Sequence, residues 1–352
     1  MRRPALLLAC IAALLAASCD RRPTLIPASA DSTAVAPDSF SVQARRAADA
    51  WEAGDDGAAA SASALLAREA LDSRPNAPWA ERVRGVLDSL GIGAEVSGGN
   101  TATVVNLFSR VRPDGDAWPY LFWREQGAVR SQALETRGLH LSSVATLGMG
   151  DDSEPNDSAQ VAVLWDRRVG AGAQPQLAVW KHADGGRWDL LQMLGPDSLG
   201  GTGTGEFAVL DSSTELTTRT YRNTPWFDEC ASCPHVFHEH RFEWRSEGFA
   251  RVGSRLVPSP YSTFAAFIAA LMGNDRAKAG ECVVDPSLVD FARRYDWHVS
   301  SHGRWRVAPA TDESAIEMVF FRGQKEAFRV MFEPREREWL IAGFEATSRD
   351  VD

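Results

Sequence analysis

Residues 230–240, CASCPHVFHEH, place two cysteines and three histidines within eleven positions. Such residues can ligate a transition metal, run thiol–disulfide exchange, or close a loop through a disulfide, and each use needs its own spacing. Covalent haem attachment requires His directly after the second Cys of CxxC; here Pro234 intervenes and His235 comes one place late. A zinc-protease helix requires H-E-x-x-H, which His238-Glu239-His240 does not supply. A structural zinc would draw on Cys230, Cys233, His235, His238 and His240. VFHEHRFEW alternates as a strand, with Val236, His238, His240, Phe242 and Trp244 on one face and His235 on the other. At ~3.3 Å per residue, His238 lies roughly 16 Å along that strand from Cys233, so a shared metal needs a sharp bend at Pro234-His235. A redox CxxC belongs at a helix N-terminus, where the dipole lowers the thiol pKa; these cysteines precede a strand. The favoured reading is a Cys230–Cys233 disulfide closing the tip of a hairpin whose arms are ELTTRTYR and VFHEHRFEW, with Cys282 unpaired. Metal or redox use of the same segment is the alternative, and no cofactor is expected.

Other chemistry-bearing patterns are incomplete. DDSEPND (151–157) lacks the ligand spacing of a calcium loop and reads as a solvated acidic loop. GGTGTGEF (200–207) has no G-K-[ST] and leads into a strand, so it reads as a turn. No G-x-S-x-G occurs. The net charge of −10, with no basic run longer than an Arg pair, argues against nucleic acid as a partner. Among twelve tryptophans, Trp118, Trp123, Trp226 and Trp297 have polar or turn neighbours and are expected to be the exposed ones; the rest suit a core.

The N-terminus has the layout of an export signal. Arg2 and Arg3 precede an uncharged apolar run from Ala5 to Ala17. At about 1.5 Å per residue that run spans roughly 20 Å as a helix, short of the ~30 Å hydrocarbon core, so residues 1–18 read as a signal peptide. Leu15-Ala16-Ala17-Ser18-Cys19 resembles the lipobox of bacterial lipoproteins. The resemblance implies acylation of Cys19 as the mature N-terminus, and hence a membrane partner reached through lipid chains on the extracytoplasmic side. Asp20 resembles an inner-membrane retention signal of enteric bacteria, which leaves the choice of membrane open. Residues 19–40, rich in Pro, Ala, Ser, Thr and Asp, read as a tether.

Three helices are expected over 41–95: SVQARRAADAWEA, GAAASASALLAREALDS with Leu65, Leu66 and Leu71 on its apolar side, and APWAERVRGVLDSLG. The arrangement resembles one tetratricopeptide unit, but without a second copy it reads as a helical layer packed on the next domain. Over 100–257, short β-type runs alternate with Gly, Pro, Asp and Ser, and ADGG (183–186) joins two of them as a hairpin. With no fixed period, the expectation is an irregular antiparallel domain. In 258–347, helices YSTFAAFIAALM and NDRAKAGECV precede DPSLVDFARRYDW, with Asp285 as N-cap and Pro286 at the first helical position. The strands GRWRVAP, AIEMVFFRG, EAFRVMFEP and EWLIAGFEA follow. This order resembles the NTF2-like cone, which implies a pocket, and Tyr295, His298 and Arg306 are its candidate lining.

The fold class is therefore α+β: a helical layer, a central antiparallel β domain and a C-terminal helices-then-meander domain. The expected function is ligand or partner binding at the cell envelope, toward an envelope protein or a small molecule, without catalysis. An NTF2-like enzyme using the C-terminal pocket is the rival.

Overall fold

The computed structural model describes residues 39–73, 78–112, 116–136, 138–147, 159–170, 172–210, 213–307 and 316–347. The segments read as signal peptide and acidic loop (1–18 and 151–157), Cys10, Cys19 and most of the expected tether lie outside them. The described residues form a mixed α and β structure, mostly β, in which every sheet is antiparallel.

Helices α1 (Ser39–Ala53), α2 (Asp56–Asp72) and α3 (Trp79–Ser89) open the chain. Leu66 and Leu71 are buried as expected, but Leu65 is 36% exposed. Sheet A follows in the order β1 (Gly93–Gly98), β2 (Ala102–Phe108), β3 (Trp118–Glu125), β4 (Ala128–Ala133). Sheet B runs β5 (His140–Leu147), β6 (Gln160–Val169), β7 (Gly172–Ala183), β8 (Arg187–Leu194). A short helix α4 (Pro196–Leu199) leads into sheet C: β9 (Thr202–Leu210), β10 (Ser213–Tyr221), β11 (Phe237–Arg245), β12 (Gly248–Leu256). The central region is thus not irregular, as sequence alone suggested, but three successive four-stranded meanders. The glycine-rich 200–207 segment is mostly strand β9 rather than a turn.

The period-2 alternation of each strand explains the stacking. In β2, Val105 and Leu107 join the core under α1–α3, whereas Ala102 and Val104 face the other way. In β3, Phe122 joins the helical side, and Leu121 and Trp123 meet Val161, Val163 and Trp165 of β6. The opposite face of sheet B supplies Ala162, Leu164, Leu177 and Val179 to a core shared with Leu216, Phe242 and Phe249 of sheet C. Strands covered on both faces must be apolar almost throughout, which is why VAVLW is a continuous hydrophobic run and TVVNLF carries only Thr103 and Asn106 as polar residues. The result is a stack in the order helices, sheet A, sheet B, sheet C. Tryptophans fill the A–B layer, with Trp123 edge-on to Trp188 at 6.0 Å between ring centroids.

The C-terminal unit has α5 (Pro260–Met272), α6 (Arg276–Glu281) and α7 (Ser287–Arg294), then sheet D in the order β13 (Trp305–Val307), β14 (Glu317–Arg322), β15 (Glu326–Arg335), β16 (Glu338–Ala346). Ser259 and Ser262 form a capping box at the start of α5. Pro286 is the N-cap of α7 rather than its first residue, and Asp285 Oδ1 accepts from the Ser287 amide at 2.9 Å. The space between helices and sheet is filled by Phe264, Phe267, Trp297, Trp305, Phe320, Phe328 and Phe344. Trp297, expected to be exposed, is fully buried here, and Trp123 is 2% exposed, because turn neighbours say nothing about what packs over a strand or loop. Trp226 is 42% exposed.

Arg322, 1% exposed, completes this interior. It donates to both Glu326 oxygens at 2.6 and 3.0 Å and to the carbonyls of Tyr295 and Asp296 at 2.8 and 2.9 Å. Its guanidinium also lies over the Trp305 ring at 5.3 Å. Arg322→Met would leave two carbonyls and a carboxylate without donors. A loss of about 3 kcal/mol is expected, at the low end for breaking a buried pair because Glu326 retains access to water. Denaturant unfolding of the variant measures it; a loss under about 1 kcal/mol would show that the cluster is not structural.

Candidate functional site

The 222–236 connection between β10 and β11 is where the β stack meets the C-terminal unit. Its arms are in register, Tyr221 opposite Phe237 and Thr218 opposite His240. Phe227 enters the C-terminal core, 5.5 Å from the Tyr261 ring. Around it the connection pairs with β13: the Trp305 amide donates to the Trp226 carbonyl at 2.9 Å, and the Asp228 amide to the Trp305 carbonyl at 2.8 Å. Trp226 accepts a φ of +70° to make that contact.

Cys230 and Cys233 lie at disulfide-bonding distance, with Cα atoms 5.1 Å apart, in a turn closed by the Cys233 amide and the Cys230 carbonyl at 3.0 Å. Cys233 and Val236 pack on the C-terminal core. The bracketed turn brings its two flanks together. The Glu229 side chain is 2% exposed and that of His235 5%. Glu229 accepts from the Tyr261 hydroxyl at 2.6 Å and from the Thr224 amide at 3.1 Å. His235 Nδ1 stands 3.5 Å from Glu229 Oε2, an ion-pair separation rather than a hydrogen bond. The Tyr221 ring stacks on the His235 ring at 3.5 Å with an 8° tilt. Burial acts to raise the Glu229 pKa, but His235, Thr224 and Tyr261 outweigh it and hold it below its ordinary value. Burial, then the Glu229 charge, raises Tyr221; burial and the bond to Glu229 raise Tyr261 further.

The five residues considered as metal ligands therefore divide. The cysteines face each other, His235 turns to Glu229, and His238 and His240 stack together with centroids 6.2 Å apart on sheet C. Among the described residues, no group of three or more His, Cys, Asp and Glu is placed to hold a metal ion. Cys282 caps the end of α6, and burial pushes its thiol up to about 11, so it is not a ready nucleophile.

A cleft of about 550 Å³ opens beside this connection, between sheet C and α5. Its floor is the 222–225 chain with Val236; one wall is His238, His240, Arg251 and Leu256, the other Ser262, Ala265, Ala266 and Ala269 of α5. The α5 residues recur at helical spacing, so one stripe of small side chains faces the opening. The α4 turn sets the arginines: Arg222 donates to the carbonyls of Asp197 at 2.9 Å and Gly200 at 3.3 Å, and Arg251 donates to that of Ser198. Gly200, at φ +110°, lies so close to His240 Nε2 and Thr220 Oγ1 that no Cβ would fit. His240 is 8% exposed, and burial, followed by the charges of Arg251, His238 and Arg222, lowers its pKa and so favours the neutral ring.

Tyr295, His298 and Arg306 do not line the cleft beside α5. The Tyr295 ring packs on Phe291, Phe328 and Phe344, and Arg306 is exposed with a bond to the Gly323 carbonyl at 2.8 Å. The interior they were expected to line holds aromatic rings and Arg322 instead. Glu229, Tyr261 and Arg222 were missed in the sequence, although Glu229 directly precedes the CxxC turn and His235 follows it after one proline. No protein-family model matches this chain, and comparison with curated proteins finds no significant match.

The Glu229 cluster has a pH signature. Folding lowers the Glu229 pKa below its ordinary value of 4.5. The stabilisation is therefore fully present above that value and is lost as pH falls through the folded one. Glu229→Gln is expected to lower stability by about 1–3 kcal/mol at pH 7, with the gap to the parent narrowing below about pH 4.5. Denaturant midpoints of both proteins across pH 3–7 test this. A gap that stays constant would mean the carboxylate charge contributes nothing.

Proposed function

We propose that this chain is a lipid-anchored protein of the cell envelope that binds a small molecule in the cleft between sheet C and α5 and performs no chemistry there. The observation that carries the binding reading is the cleft itself, a concave site of about 550 Å³ at the joint of two structural units. Small-molecule sites run roughly 300–1,000 Å³ and favour such joints. Its ionisable lining residues are Arg222, His238, His240 and Arg251, with no carboxylate or thiol to complete an acid–base or nucleophilic pair. The Ser262 hydroxyl is engaged in the capping box of α5, which argues against its use as a nucleophile.

The anchor rests on the sequence: Leu15-Ala16-Ala17-Ser18-Cys19 and the tether that follows. Among the described residues, no helix is long and apolar enough to cross a membrane. A Cys230–Cys233 disulfide suits an oxidising compartment. Cleft and anchor together describe a receptor or carrier held near the membrane.

Two variants in the full chain test the proposal. Cys19→Ala should move the protein from the membrane fraction to the soluble extracytoplasmic fraction. Ala266→Trp, at an exposed position on the cleft wall, should leave the melting temperature within about 2 °C while removing any small molecule that native mass spectrometry finds on the parent. A Cys19→Ala protein that stays on the membrane contradicts the anchor; a bound molecule that survives Ala266→Trp contradicts the cleft.

A further inference from the structure

The cleft lining is basic, against the acidic balance of the whole chain. The chain carries a net charge of −10, yet the cleft lining contains two arginines, two histidines and no acid. The arginines are not cancelled locally. Each is steadied chiefly by neutral carbonyl oxygens of the α4 turn, Asp197 and Gly200 for Arg222 and Ser198 for Arg251. The Asp197 carboxylate lies 3.8 Å from Arg222 and is fully in solvent, where its field is weak. Arg251 further rests over the Phe242 ring at 5.3 Å, which fixes the side chain without neutralising it.

The opposite end is apolar. Ala265, Ala266 and Ala269 present methyl groups from α5, and Val236 and Leu256 face them. Leu256 is 45% exposed, an apolar side chain at the rim without a covering partner. Between the two ends, His240 is nearly buried, and its Nδ1 has no hydrogen-bond partner. A buried polar atom left unpaired is destabilising, and a ligand atom reaching it would relieve that cost.

Building on the proposed cleft, we propose that its ligand is an amphiphile with a single aliphatic chain and an anionic head. The head pairs with Arg222 and Arg251, the His240 ring contacts the junction, and the chain lies along the alanine stripe of α5 against Val236 and Leu256. Charge-assisted bonds to a carboxylate or phosphate provide the selectivity, and burial of the chain provides the bulk of the affinity. A free fatty acid and a phosphate-headed lipid fragment share this chemistry and differ only in the head.

The test uses the mature chain from residue 19 with Cys19→Ala, which needs no detergent. It is titrated calorimetrically, below micelle-forming concentrations, with dodecanoate, dodecyl phosphate, dodecanol and dodecyltrimethylammonium. One anionic amphiphile is expected to bind per chain, at least tenfold more tightly than the alcohol or the cation, and the two anions identify the preferred head. Arg222→Gln with Arg251→Gln should reduce that preference to less than threefold while leaving dodecanol binding unchanged, and Ala266→Trp should abolish binding. Dodecanol or the cation binding as tightly as the anions overturns the proposal, as does anion binding that survives Ala266→Trp. If no amphiphile binds while a native ligand is still displaced by Ala266→Trp, the class is wrong and the cleft stands. If neither is seen, both fall.

Discussion

The Glu229 carboxylate is the constraint around which the two halves of the molecule are arranged. A buried carboxylate is tolerated only where donors close on it. Two donors close on it, the Thr224 amide from its own connection and the Tyr261 hydroxyl from helix α5, and the His235 ring stands 3.5 Å away from beyond the CxxC turn. Tyr261 belongs to the C-terminal unit and Glu229 to the sheet C connection, so this one charge ties the units together. The backbone pairing of residues 226–228 with Trp305 and the burial of Phe227 follow from the same approach. The cleft between sheet C and α5 opens beside this tie.

The CxxC motif thereby takes on a definite physical role. A four-residue disulfide loop contributes only ~2 kcal/mol through chain entropy. What it fixes is position: the acid before it and the imidazole after it are brought to 3.5 Å of each other. With His235 turned to Glu229 and His238 and His240 turned to the cleft, the histidines that look like one cluster in sequence work in two places.

Much of the local structure was legible. All three N-terminal helices, the hairpin arms around the CxxC turn and the helices-then-meander order of the C-terminal unit appear where amphipathic spacing and β-branched runs put them. The regularity of the β stack did not, because β1, β4 and β5, GAEVSG, AVRSQA and HLSSVATL, carry few large apolar residues. Those strands complete two of the four-stranded sheets, and without them no repeat can be seen. Alternation correctly grouped His238 with His240, but which wall they would face depends on α5, across the fold. The packing of the C-terminal interior was illegible for a similar reason: an aromatic or arginine in a strand does not reveal what its neighbours leave beside it, and here Arg322 and the rings around it pack together in that interior.

Glu229 and Tyr261 act as a pair across the joint, and a double-mutant cycle measures that directly. Unfolding free energies of the parent, Glu229→Gln, Tyr261→Phe and the double variant at pH 7 isolate the interaction. A coupling energy of about 1–3 kcal/mol is expected, as for residues sharing one buried network. A coupling indistinguishable from zero would mean that the carboxylate and hydroxyl contribute independently, and that the joint is held by apolar packing alone.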